Sequence, residues 1–171
     1  GNRTVRAMMH PGYQNQNYVG PSAPIDDQLS VISIQSAEGK PLGVLANFSM
    51  HYHGGGGPAD YFGLFADRLA KRLESEGRVP VCAMSQGTSG DLHWMNYAKP
   101  NKGSNVTRYA DGLVELTVQA LENMRYQDAP PLAMDQKVIT LSRRLPDAER
   151  LAWADKLLAN MKGRRPKNRP E

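Results

Sequence analysis

The 171-residue chain carries only four histidines, and three of them, His51, His53 and His93, fall in or beside two glycine-rich stretches. Imidazole titrates close to neutral pH and binds zinc through a neutral nitrogen; a catalytic zinc commonly takes three protein ligands and leaves one position open to water. Residues two apart on a strand point the same way, so His51 and His53 at a strand end can face one ligand, with His93 arriving from a neighbouring strand end. The same three rings would serve equally to hydrogen-bond loop backbone. Four consecutive glycines, Gly54 to Gly57, shift the balance toward a ligand. Such a run costs folding entropy and belongs where backbone takes positive φ or approaches a bound group, making Gly54 and Gly55 candidate substrate contacts.

The segment His53-Gly54-Gly55-Gly56 is similar to the oxyanion loop of lipases and esterases, whose nucleophile sits in a G-x-S-x-G elbow. Ser89 has Gly87 two before it but Asp91 two after it, so the elbow is absent and no other serine restores it. Asp91, in Gly87-Thr88-Ser89-Gly90-Asp91-Leu92-His93, can orient an imidazole, bind metal or cap the loop. Asp60 is explained by a helix N-cap. Trp94 and Tyr97, close behind His93, form either a wall for a substrate or a plug for the core, and Tyr52 and Tyr61 are equally ambiguous.

Positioning these residues requires a sheet with helices on it. Residues 1 to 27 lack periodicity and read as an irregular arm lying over a body. Leu29, Val31, Ile32 and Ile34 make a strand, Glu38-Gly39-Lys40-Pro41 a turn, and Leu42 to Ser49 a second strand, apolar on both faces. Phe62, Phe65, Ala66, Leu69 and Leu73 recur at helical spacing, ending at Gly77. Val79 to Ser85 reads as a buried strand containing the sole cysteine, Cys82, and residues 86 to 104 as a long, functional loop. A helix through Ala110 to Met124 stops before Pro130-Pro131; Leu132 to Leu141 predicts a further strand, and Leu151 to Met161 a last helix. The order ββαβαβα implies an α/β fold, a mixed sheet covered by helices, forming a body over 28–161 with a basic linker or tail over 162–171.

Hydrophobic residues make up 40% of the chain and charged residues 22%, enough for one core and against wholesale disorder. No apolar run approaches a membrane span and no basic-then-apolar segment opens the chain. Five of the 21 basic residues and one of the 17 acidic residues lie in the last ten positions, leaving the remainder balanced at sixteen each. No basic face remains for nucleic acid.

The succession Asn2-Arg3-Thr4, Asp27, Gly39-Lys40-Pro41-Leu42-Gly43, Asn47-Phe48-Ser49-Met50-His51, Asp60 with Gly63, and Gly90-Asp91 resembles the neutral/alkaline, non-lysosomal ceramidase family over about the first 95 residues. The resemblance implies a zinc-dependent amidase that cleaves the N-acyl bond of a lipid-like substrate, secreted, periplasmic or membrane-associated. It places a zinc ligand on His51, an essential aspartate on Asp91 and a substrate-side arginine on Arg3. Where the family carries a catalytic serine this chain has His93. The family's remaining ligands, an upstream histidine and a downstream glutamate and tyrosine, have no match here, so the rest of a longer polypeptide is expected to complete the site. The expectation is a zinc hydrolase in which a metal-activated water replaces the serine. Its metal is held by His51, His53 and His93; Asp91 and His93 act as catalytic groups, and Arg3, Gly54, Gly55 and Trp94 hold a small or lipid-like N-acyl substrate. A catalytically inactive ligand-binding relative and a structural domain of a larger protein are the alternatives.

Overall fold

A computed structural model describes residues 8–164. Within them the elements run β1 (Ser30–Gln35), β2 (Pro41–Phe48), α1 (Asp60–Arg72), β3 (Val81–Gln86), α2 (Val106–Glu122) and α3 (Ala148–Met161). The α/β class expected from the pattern is the one observed, with a mixed three-stranded sheet in the order β1-β2-β3. β1 and β2 form the antiparallel hairpin, closed by Ser36 N–H donating to the Lys40 carbonyl at 2.9 Å. β2 and β3 are parallel, in the register Gly43 to Val81 through Phe48 to Gln86, and α1 makes the crossover that parallel strands require.

The core lies on one face of this sheet. Val44, Ala46 and Phe48 of β2 meet Tyr61, Phe65 and Leu69 of α1 and Ala110, Leu113, Val114 and Val118 of α2. Tyr61, Phe65 and Leu69 are spaced by four, which stacks them on one helix side, and all three are fully buried. Each contributes roughly 1.5–3 kcal/mol by leaving water. On the other sheet face Ile32, Ile34, Leu45 and Val81 are largely exposed. β3 is therefore half covered rather than buried as expected. Cys82 on its inner side is half-buried, and burial pushes its thiol up.

The order ββαβαβα is not realised. Among the described residues no fourth strand forms over Leu132 to Leu141; Leu132, Met134 and Val138 are 92%, 91% and 89% exposed. Alternating apolar residues state which side would face a core, but a strand exists only where a neighbour takes its backbone N–H and C=O groups, and no ladder joins this segment. The predicted body also divides between Ala129 and Pro130, beside the Pro130-Pro131 break, into two compact units. The second holds the extended segment and α3, whose N-cap Asp147 accepts from Arg150 N–H at 2.7 Å. Most of the predicted basic tail, and Arg3, lie outside the described residues.

Where β3 ends, Gly87 N–H donates to the Phe48 carbonyl at 3.0 Å and carries the β2–β3 pairing one residue further. A Cβ on Gly87 would stand 2.4 Å from Ser49 Oγ, a hydroxyl already committed to Asp26 Oδ2 at 2.9 Å. Gly87→Ala is expected to destabilise the protein by about 1–3 kcal/mol, with partial recovery when Ser49→Ala removes the clash, read from denaturant midpoints of the three variants.

Candidate functional site

The two strand exits that carry the histidines are joined directly. His51 N–H donates to the Leu92 carbonyl at 2.9 Å, laying the segment after β2 against the loop after β3. Beyond this junction the rings part into two groups.

His53 turns toward α2. Its Nε2 lies 2.7 Å from Ser104 Oγ and its Nδ1 3.1 Å from the Gly54 carbonyl. The ring stacks on Trp94, with centroids 5.1 Å apart and planes 18° from parallel, and Trp94 Nε1–H donates to the His53 carbonyl at 3.3 Å. Both imidazole nitrogens are thus engaged, and His53 does not join the other two rings. The expected convergence of His51, His53 and His93 on one metal is not what the geometry gives. Among the described residues no three His, Cys, Asp or Glu side chains stand close enough to share an ion. The period-two argument fails because β2 ends at Phe48, so His51 and His53 lie in irregular chain.

His93 is instead paired with a residue of the arm. Its ring centroid is 5.8 Å from that of His10 and 5.6 Å from that of Tyr97, and Met95 N–H donates to its Nδ1 at 3.3 Å. Tyr97 Oη lies 2.5 Å from His10 Nδ1, Gln14 N–H donates to the Tyr97 carbonyl at 2.9 Å, and Tyr13 packs on the same phenol. The described part of the arm, from His10 to Gln14, thus lies over the His93–Tyr97 stretch, and the imidazole is half-buried. Burial first, then the neighbouring charges of His10 and His51, push His93 below the ordinary imidazole value, against the pull of the Met9 carbonyl. The charged form of His93 is accordingly disfavoured. His10 went unnoticed in the sequence because it lies in an aperiodic stretch remote from the glycine loops.

Asp91 does not orient His93. It is exposed and makes no hydrogen bond or ion pair among the described residues. Its neighbour Leu92 packs against the core, which turns the carboxylate out to water, where a lone charge is cheapest. Trp94 serves as the lid on His53, not as an open wall. Tyr61 is core, its hydroxyl donating to the Met50 carbonyl at 2.9 Å.

The acid that organises the site is Asp60. It follows the N-cap position, taken by Ala59, and sits at φ +46°. Its Oδ1 accepts from His53 N–H at 2.7 Å and Tyr61 N–H at 2.8 Å, and its Oδ2 from Gly54 N–H at 2.8 Å. Gly54, at φ +85°, therefore spends its amide on Asp60 rather than on a substrate; Gly55, at φ +95°, has open space around it. Burial alone would raise the Asp60 pKa, but the three N–H donors and the nearby His53 outweigh it and hold the carboxyl below its ordinary value.

Beside the His53–Ser104 contact lies a cavity of about 820 Å³. Leu29, Phe48, Leu113 and Leu116 give it an apolar wall, while Asp27, Lys102, Ser104 and Arg108 supply polar groups. Tyr109, also on its wall, is pushed up to about 12 by burial, so its phenol stays protonated.

Zinc, the group the resemblance implies, needs deprotonated imidazole nitrogens. Exposed His51, whose Nδ1 meets the adjacent Tyr52 carbonyl at 3.3 Å, and half-buried His93 are the residues that would hold it; both nitrogens of His53 are already engaged. Compared with known proteins, the chain matches no family model, no curated protein and no solved structure.

Asp60→Asn would replace the Oδ2 acceptor by an amide facing Gly54 N–H, an expected loss of about 2 kcal/mol. Because the folded pKa is lowered, the carboxylate's contribution is full above about pH 3.9, the unfolded value, and is lost as pH falls through the folded value. The stability gap between wild type and Asp60→Asn is therefore expected to be constant near neutrality and to close in acid, measured by urea unfolding across that range.

Proposed function

We propose that this chain carries part of the centre of a zinc-dependent hydrolase, ceramidase-like in its residues, that cleaves the amide of a small or lipid-like N-acyl substrate. The observation that supports it is the bond from His51 N–H to the Leu92 carbonyl. It ties two strand exits together and leaves two imidazoles, exposed His51 and half-buried His93, on adjoining segments. Zinc held by His51 and His93 would polarise the substrate carbonyl and lower the pKa of a bound water. Metal at His93 would have to displace what covers the ring, His10 of the arm among it, which makes the arm the part that must move. In the alternative arrangement His93 would leave the metal to His51 and to ligands from elsewhere, and its lone pair would accept a proton from the water, the general-base role. Asp91 would meet substrate or solvent directly, since no side chain among the described residues claims it.

The test is metal content. Wild-type protein equilibrated with zinc and desalted is expected to retain it stoichiometrically; His51→Ala and His93→Ala are expected to lose it, and His53→Ala to keep it, by plasma emission spectrometry. Zinc retained in full by His51→Ala would overturn the assignment. Zinc bound without turnover of N-acyl substrates would favour an inactive ligand-binding relative, and no zinc at all a structural domain.

A further inference from the structure

The contact between His53 and Ser104 has the geometry of a nucleophile and its base. The Gly54 carbonyl can only accept, so the bond at His53 Nδ1 places the ring hydrogen there. In that tautomer the lone pair is on Nε2, where Ser104 Oγ lies 2.7 Å away in position to donate. Activated serines meet their histidine in this arrangement, with a backbone carbonyl in the place usually held by an aspartate.

The ring is held against rotation. Its flat side rests on Trp94, and the backbone of the same residue is pinned at both ends, by Asp60 at its N–H and by Trp94 Nε1 at its carbonyl. Ser104 itself is exposed, so a substrate can reach it. It lines the cavity of about 820 Å³, within the usual range for a small-molecule site. That cavity offers an apolar wall of Leu29, Phe48, Leu113 and Leu116 and two cations, Lys102 and Arg108.

We propose that Ser104 and His53 form an esterase centre on this cavity, acting on a carboxylic ester whose acyl group is apolar. Ser104 Oγ bonds to the ester carbonyl carbon as its proton passes to His53 Nε2. The carbon–oxygen bond to the leaving alcohol breaks, and the alcohol departs with that proton, leaving an acyl-serine. Water then gives a proton to Nε2 and attacks the acyl carbon; the bond to Oγ breaks, and Oγ takes the proton back. The net reaction consumes ester and water and releases acid and alcohol. Lys102 and Arg108 supply positive charge for the oxyanion, in place of a glycine-loop amide that Asp60 already occupies. The centre uses neither His51 nor His93, so it stands or falls apart from the zinc reading.

Chelator-treated protein is incubated with an alkyl fluorophosphonate, which gives up fluoride to an activated serine, and the adduct is located by peptide mass spectrometry. Phosphonylation of Ser104 is expected, slowed about 10²-fold or more in His53→Gln. Ser104→Ala, a change at an exposed position, is expected to keep the wild-type circular dichroism and melting curve and to hydrolyse p-nitrophenyl butyrate no faster than buffer. Absence of the Ser104 adduct in wild type, or undiminished ester hydrolysis by Ser104→Ala, would overturn the proposal.

Discussion

One carboxylate fixes the whole region between the second strand and the first helix. Asp60 accepts from the backbone of His53, Gly54 and Tyr61 at once. It thereby converts a glycine loop, which by composition would sample many conformations, into a single path. A buried carboxylate is tolerable only when its lone pairs are satisfied, and here the loop amides do the satisfying. The dependence runs both ways: the loop is ordered because the acid is charged, and the acid stays charged because the loop closes on it. The left-handed backbone at Asp60, φ +46°, is uncommon for a residue with a side chain and is held by the same three bonds. It points the carboxylate back toward the loop instead of out along the helix.

From that constraint the separation of the histidines follows. Pinning His53 N–H to Asp60 directs its ring onto Trp94 and Ser104, while His51, two residues earlier, is tied by its own N–H to the strand exit of β3. Two anchors on neighbouring residues, aimed at different elements, send the two side chains to different places. The chain thus presents two chemically distinct patches. One is the His51–His93 junction under the arm; the other is the His53–Ser104 contact at the mouth of an apolar cavity.

How much of this was legible in the sequence depends on how local the cause is. The hairpin could be read, because Glu38-Gly39-Lys40 sets its turn locally, as could α1 and α2, whose apolar period is intrinsic. The apolar alternation over Leu132 to Leu141 does not make a strand, because alternation records a preference for one face and is silent about pairing. His51 and His53 part for a related reason: period two holds only while the chain remains a strand, and β2 stops three residues before His51. Asp60 was assigned to a cap from its position at a helix start, although its carboxylate reaches six and seven residues back. Ser104 and His10 had no sequence signal at all, since each meets its histidine across more than fifty residues.

His93 illustrates how the arm contributes to chemistry without supplying a reacting group. An imidazole in water near its ordinary pKa is partly protonated, and a protonated ring neither coordinates a metal nor accepts a proton. Covering the ring with Tyr97 and the arm, and setting His10 beside it, disfavours the charged form. Lifting the arm would return solvent to the ring and remove the burial that disfavours its charged form. The segment that looked in the sequence like an irregular preface is thus coupled to the protonation state of the histidine it covers.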